Sequence, residues 1–325
     1  MFPETSKAGV RPAPYHHEGV PMEKIIEVSG LKKSYGSVYA VKGVDFYVEK
    51  GRMFALLGTN GAGKSTIIDM LCTFLKPDAG EVLVDGLTLG KDDAGIRKKI
   101  GAVFQDGLLD PLLTVEENLR ARGGLYGLRG KALRDAVNTA AYAVGVTGIL
   151  KRPYGKLSGG QRRRCDITRA LIHQPDILFL DEPTTGLDPQ TRVSVWDTVR
   201  GLQKEYGMTL FLTTHYMEEA AGADFVIIID EGLIAAKGSP SQLEEEYTAD
   251  KLTLVCADIG KTKECLDSQN LAWQQTAETL TLSVQSSMEA LPIIESCRAH
   301  LAGFEVTKGT MDDVFLKVTG KEIRE

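Results

Sequence analysis

The chain has 325 residues, 43% of them hydrophobic and 25% charged, which describes a globular protein of about two domains and excludes a disordered or fibrous one. Lysine and arginine total 38 against 44 aspartates and glutamates, a formal charge of −6, so the broad basic footprint of a nucleic-acid binder is missing. The longest apolar runs, such as Met53 to Leu57 and Phe225 to Ile229, fall far short of the roughly 20 residues a transmembrane helix needs, and the chain is not expected to cross a membrane by itself.

Residues 1–22 are expected to form a disordered tail. They carry Pro3, Pro12, Pro14 and Pro21 and lack the apolar core of a secretory signal. His16 and His17 within them read as a solvated pair rather than a metal site. From Glu23 the pattern changes. Ile25, Ile26 and Val28, then Val44, Phe46 and Val48, alternate with polar residues and predict half-buried antiparallel strands. Arg52 to Leu57 reads as a strand, stopping at Gly58, and Ser65 to Phe74 as a helix before Pro77. Gly80 to Leu89, with Asp85-Gly86 at its centre, reads as a hairpin, and Ile100 to Phe104 as a strand.

Helices follow. Thr114 with Glu117 three residues on makes a capping box for a helix through Arg122, and Lys131 to Val144 is Ala-rich. Gln161 to His173 predicts a helix, Asp176 to Leu180 a buried strand, Gln190 to Tyr206 a helix, and Thr209 to Thr213 and Phe225 to Ile229 strands. Strands alternating with helices indicate an α/β core. Beyond about 248 the chain restarts with strand-like Leu252 to Ile259, helical Lys261 to Ser268, strand-like Thr279 to Val284, helical Ser287 to Leu301, strand-like Phe304 to Thr307 and helical Met311 to Val318. A small α+β domain with a split βαβ arrangement is expected there.

The five cysteines, Cys72, Cys165, Cys256, Cys265 and Cys297, include no CxxC pair and leave one over. That is the pattern of neither a disulfide framework nor a zinc site; it fits a reducing cytosol, and all five are expected to be structural.

Gly58, Thr59, Asn60, Gly61, Ala62, Gly63, Lys64 and Ser65 fit GxxxxGK[ST], between a strand and a helix as that motif requires. The glycines let successive backbone N–H groups face one phosphate chain, and the following helix adds the positive end of its dipole. Lys64 is placed to reach β and γ phosphates, Ser65 to offer a hydroxyl to Mg²⁺, and Thr66 to stand beside the α-phosphate. Ile177 to Leu180 is an apolar strand ending in Asp181, a carboxylate suited to holding Mg²⁺; Glu182, one residue on, points differently and is the candidate general base for an attacking water.

At Leu157-Ser158-Gly159-Gly160-Gln161 the sequence resembles the signature of ABC-family ATPases, and together with the two preceding motifs the resemblance spans about 25–247. It implies a P-loop NTPase core of the ABC ATPase type, with an antiparallel β subdomain and a helical subdomain over about 106–172. The whole cassette would cover 23–248, and 249–325 would be a small C-terminal α+β accessory domain. By resemblance, Tyr35 matches the aromatic residue that stacks on adenine, Gln105 the glutamine near Mg²⁺ and the attacking water, and His215 the switch residue at the γ-phosphate. Asp188, in Gly186-Leu187-Asp188-Pro189, matches the loop that couples two sites. Arg162, Arg163 and Arg164 form the one conspicuous basic cluster, read as the start of the signature helix and not as a phosphate-tracking surface.

The family likeness implies ATP and Mg²⁺ as cofactors and two cassettes packed head to tail, a homodimer being favoured. Each ATP would then lie between one P-loop and the Ser158-Gly159-Gly160 turn of the other copy. It further implies separately encoded integral membrane permease subunits and a cytoplasmic, peripheral location on the inner face of the membrane. The terminal segment Gly309 to Leu316 resembles the tail of daunorubicin-type drug-resistance exporter ATPases, which favours export. A soluble ABC ATPase acting on ribosomes or nucleic acid is the rival. Such proteins usually carry two cassettes or a long inserted coiled coil, and the chain shows one P-loop, one signature and no heptads.

Overall fold

The computed structural model describes residues 23–321, so the expected tail and its His16-His17 pair lie outside the described residues. The chain divides into two compact units between Ala235 and Ala236. This is earlier than the expected boundary at 248, because helix Pro240–Tyr247 packs against the terminal helix Met311–Thr319 within the second unit.

In the first unit, strands Lys24–Tyr35 and Val38–Glu49 pair antiparallel, and Ala79–Val84 joins the other side of Lys24–Tyr35. Alternation carries Ile26, Val28, Val44, Phe46 and Val48 to the buried face. Leu87–Thr88 completes this four-stranded sheet through the Asp85-Gly86 turn. A second, six-stranded sheet runs in the order Leu233–Gly238, Phe225–Asp230, Met53–Leu57, Thr209–Thr214, Ile177–Asp181, Ile100–Val103. Its four pairings from Phe225–Asp230 through to Ile100–Val103 are parallel. Met53–Leu57 and Thr209–Thr214 are buried at every position, which is why these segments read as continuous apolar runs instead of alternating ones. Phe46 of the antiparallel sheet stacks on Phe54 of the parallel one at 5.4 Å between ring centroids, and Phe54 on Phe211 at 4.9 Å, so aromatic packing joins the two layers.

The helices sit where the capping residues predict. Thr114 and Ser158 each close a capping box, for Val115–Leu125 and Gly159–Leu171, and Gly130–Ala143 packs beside both. Asp188 caps Pro189–Tyr206, which has proline in its first turn and ends on left-handed Gly207. Because parallel strands need crossovers, Asp181 and Thr214 finish at the same sheet end as Leu57, where the chain turns into the glycine loop.

The second unit contains four antiparallel strands in the order Gln274–Thr276, Thr279–Val284, Asp250–Cys256, Leu301–Thr307. Helices Ile259–Ser268 and Ser287–Cys297 cover one face through Leu252, Leu254, Leu266, Leu280, Leu282 and Ile294. This is the split βαβ order expected. The first strand ends at Cys256 and not at Ile259, since the Asp258 carboxylate caps the following helix by accepting from Lys261 N.

Candidate functional site

The glycine loop opens where Met53–Leu57 ends and closes on helix Lys64–Leu71. Gly63 sits at φ 109°, and a Cβ there would lie 2.5 Å from Ala40 O, so neither the angle nor the space admits another residue. The Lys64 side chain, 4% exposed, curls inside the loop and donates from Nζ to Gly58 O at 2.8 Å and Thr59 O at 3.1 Å. Burial lowers its pKa from the lysine norm, against the opposing pull of Glu182 and Asp181.

Three neighbouring strand ends bring the polar groups together. The Thr213 hydroxyl donates to Asp181 Oδ1, while Glu182 N donates to Thr213 O at 3.1 Å and to Thr213 Oγ1 at 3.3 Å. Glu182 Oε1 lies 3.6 Å from Lys64 Nζ and 3.2 Å from His215 Nδ1, and its Oε2 accepts from Thr185 Oγ1 at 3.2 Å. Burial raises the Asp181 pKa above the carboxylate norm; the Thr213 bond pulls it back, Glu182 adds to the rise and Lys64 opposes it. A single carboxylate oxygen thus stands between a lysine and a histidine, beside a loop shaped for phosphates.

Glu182 has φ 44°, a left-handed backbone that a non-glycine residue adopts at a cost of about 1–2 kcal/mol. Arg163 accounts for its persistence. Buried on the second turn of Gly159–Leu171, its guanidinium donates to Pro183 O and Phe104 O, to Glu182 O at 3.0 Å and to Asp181 O at 3.3 Å. One side chain ties together the carboxylate turn, the residue before Gln105 and the signature helix. Burial is the main force lowering its pKa, as expected of a cation bonded only to carbonyls. Sequence reasoning treated Arg163 as one of three helix-starting arginines; the signal it passed over is that Gly160, Arg163, Ile167 and Ala170 share one helical face, all buried. Thr213 and Thr185 were also missed, as was Glu219. That buried carboxylate accepts from Thr184 Oγ1, from Thr214 Oγ1 at 2.5 Å and from Trp196 Nε1 at 3.1 Å, anchoring the segment after His215.

The signature residues form a second group. Ser158 and Gln161 bond each other, Gln161 N to Ser158 Oγ at 3.4 Å and Ser158 N to Gln161 Oε1 at 3.2 Å, and leave Ser158 and Gly159 exposed. Asp188 accepts from Thr191 N at 3.0 Å and from Thr191 Oγ1 at 2.5 Å. A Cβ on Gly160 would meet the Thr191 methyl at 2.3 Å, so the signature turn and the Asp188 cap are in direct contact. Tyr35, 51% exposed at its strand end, and exposed Gln105, just past its strand, are bonded to neither group.

The residues present fit both cofactors. Gly58 to Thr66 have the backbone and charge an anion cradle needs, and Ser65, Gln105 and Asp181 carry oxygen atoms of the kind a hard divalent cation takes. Among the described residues no group of three or more His, Cys, Asp or Glu could hold a metal ion by itself.

Fold and site together define an ATP-binding cassette of the P-loop class. A family model described as ABC transporter matches residues 41–185. The daunorubicin resistance ATP-binding protein DrrA3 of Streptomyces coeruleorubidus is 35% identical over 308 residues, 92% of this chain and 97% of that one. The linearmycin resistance ATP-binding protein LnrL of Bacillus subtilis is 35% identical over 315 residues, 93% of this chain and 100% of that one. Among solved structures, cbiO1 from Clostridium perfringens, part of the ABC transporter complex cbiONQ, aligns with a TM-score of 0.64 at 31% identity, over 69% of this chain and 91% of that one. A dimeric post-hydrolysis form of the cassette MJ0796 bound to ADP and Pi aligns with a TM-score of 0.59 at 29% identity, over 66% and 98%. The chain belongs to the ATP-binding proteins of the ABC transporter family.

Two outcomes follow from the geometry. Arg163→Gln leaves carbonyls of the Glu182 turn without a donor, and ATP turnover is expected to fall at least about tenfold with ATP affinity little changed, Arg163→Lys falling between; equal turnover in steady-state assays would show the clamp to be dispensable. Because the folded pKa of Asp181 is raised, its ionisation opposes folding: the penalty is full above the folded value and vanishes below the unfolded one near 3.9. Asp181→Asn is therefore expected to raise the thermal midpoint of nucleotide-free protein at pH 7, an advantage that disappears as pH falls below about 4.

Proposed function

We propose that the chain is the ATP-hydrolysing motor subunit of an exporter, driving transport through separate membrane subunits by ATP-dependent dimerisation. The observation that carries this reading is the meeting of Lys64, Asp181, Glu182 and His215 at one end of the parallel sheet, with Glu182 Oε1 within 3.6 Å of Lys64 Nζ and 3.2 Å of His215 Nδ1.

In this reading Gly58 to Thr66 bind the triphosphate, Tyr35 packs on the adenine, and Ser65, Gln105 and Asp181 would hold Mg²⁺, which when bound offsets phosphate charge. Glu182 orients a water and accepts its proton. Its left-handed turn sets the direction of the carboxylate, and Thr185 holds the second oxygen. Lys64 and His215 stabilise charge on the transferring group.

Ser158, Gly159, Gly160 and Gln161 act on the ATP held by a second copy, the exposed helix N-terminus meeting the γ-phosphate. Asp188, in contact with the signature turn through Thr191, couples the two sites. A homodimer is favoured over a heterodimer because one chain carries both halves of the site.

The membrane partner is favoured by three features. Among the described residues no helix is long and apolar enough to cross a membrane. Leu108, Leu112 and Leu125 are 57%, 87% and 78% exposed, around the helices that follow Gln105. A largely apolar groove of about 690 Å³, walled by Leu125, Tyr126, Leu128, Ala136 and Ile172, opens beside them. A permease segment seated there would place the chain on the inner face of the membrane. Export is favoured because likeness to the resistance proteins covers more than nine-tenths of the chain, 92% for DrrA3.

Glu182→Gln is expected to keep ATP binding, lower turnover by about 10²–10⁴-fold and accumulate a nucleotide-bound dimer in size-exclusion chromatography; wild-type turnover would remove Glu182 as the base. Tagged chain extracted gently from its native membrane should carry a polytopic membrane protein in stoichiometric amount by mass spectrometry. Ribosomal proteins or nucleic acid in its place would transfer the motor to the soluble class.

A further inference from the structure

Two of the five cysteines, 32 residues apart, come together in the second unit: Cys297 Sγ lies 2.9 Å from Cys265 Sγ, joining helix Ile259–Ser268 to helix Ser287–Cys297. A further approach of about 0.9 Å reaches the length of a disulfide, about 2.05 Å. Cys72 and Cys165 are buried in the first unit. Cys256 packs on the same core as Cys297 and is close enough to act on it electrostatically, but its Sγ is directed to Leu254 O at 3.7 Å.

The pair is asymmetric. Cys265 is half-buried on a helix side reachable from solvent, whereas Cys297 is fully buried beneath it. Neutral polar groups adjoin the contact: Gln269 Nε2 lies 3.6 Å from Cys265 Sγ and 3.0 Å from Ser296 Oγ, and Ser296 Oγ lies 3.6 Å from Cys297 Sγ. Burial, together with the neighbouring Cys265 thiol, pushes the Cys297 pKa up to about 11, so it holds its proton while Cys265 faces solvent. No third His, Cys, Asp or Glu among the described residues completes a metal-binding group here, which leaves covalent chemistry between the two sulfurs.

We propose that Cys265 and Cys297 form a reversible disulfide site whose co-substrate is a low-molecular-weight disulfide, R–S–S–R. The Cys265 thiolate attacks one sulfur of R–S–S–R, forming a mixed disulfide and expelling one thiolate, which takes up the proton Cys265 released. Cys297 then attacks Cys265 Sγ, forming the internal bond and expelling the second R–S⁻, which leaves with the Cys297 proton. The two cysteines are oxidised by two electrons and R–S–S–R is reduced to two R–SH. Such bonds in a reducing compartment are transient and respond to its thiol poise, so this one would tie two helices of the second unit together only under oxidation.

The test uses full-length protein incubated with oxidised glutathione, alkylated under denaturing conditions and mapped by peptide mass spectrometry. Expected is the loss of two of the five alkylatable thiols, with one cross-linked peptide containing Cys265 and Cys297, Cys256 alkylated, and full reversal by dithiothreitol. In Cys297→Ser the resolving sulfur is gone, and one glutathionyl group should remain on Cys265. Alkylation of both Cys265 and Cys297 after oxidation, glutathione persisting on Cys265 of the wild type, or a bond through Cys256 would each overturn the proposal, and the wild-type map decides even if the variant does not fold.

Discussion

The left-handed backbone at Glu182 is the constraint around which the ATP end of the first unit is organised. A strand running straight on from Asp181 would point consecutive side chains to opposite faces of the sheet, and the turn re-aims Glu182 toward Lys64 and His215. Pro183 restricts Glu182 further. Such a conformation persists only when its surroundings over-determine it. Here Thr213 grips the Glu182 amide from one side, and Arg163 grips the carbonyls of Asp181, Glu182 and Pro183 from the other. Since Arg163 also holds Phe104 O, the residues before Gln105, the carboxylate turn and the signature helix cannot shift independently. The buried cation thereby converts three separate chain segments into one mechanical part.

Electrostatics in that part are poised rather than neutralised. Asp181 and Lys64 are of opposite sign, yet burial works against the charged form of each. A phosphate chain with its cation would bring compensating charge to both, so nucleotide binding draws on charges the empty fold holds at a cost.

Much of this was legible in the sequence. The glycine loop, the four apolar residues before Asp181 and the capping box of Thr114 with Glu117 are local features, and local physics places them within a residue or two of where they stand; the caps at Ser158 and Asp188 are equally local but were not read as caps. The split βαβ order of the second unit was legible too, through alternating Leu252, Leu254, Leu280 and Leu282. What escaped was long-range. Arg163 meets carbonyls 18, 19, 20 and 59 residues away, and Cys265 meets Cys297 across 32; neither spacing leaves a mark in a periodic pattern. Helix Pro240–Tyr247 was passed over because only Leu243 of it is buried, too little for a helical face to register. The unit boundary moved for that reason.

The order of the strands also governs how the chain behaves toward its neighbours in a crowded solution. Three sheet margins are formed by the shortest strands present, Leu87–Thr88, Ile100–Val103 and Gln274–Thr276, and the last of these is exposed and uncharged but wholly polar. A margin of two to four residues offers too few unpaired amides and carbonyls to template another chain. The other margins, Val38–Glu49, Leu233–Gly238 and Leu301–Thr307, are longer; on the first of them Lys42 N already donates to Gly232 O at 2.9 Å, which takes up one group in its middle. Where the chain needs a sheet margin it thus tends to place its briefest strands there, and recruitment of a foreign strand is confined to the longer edges.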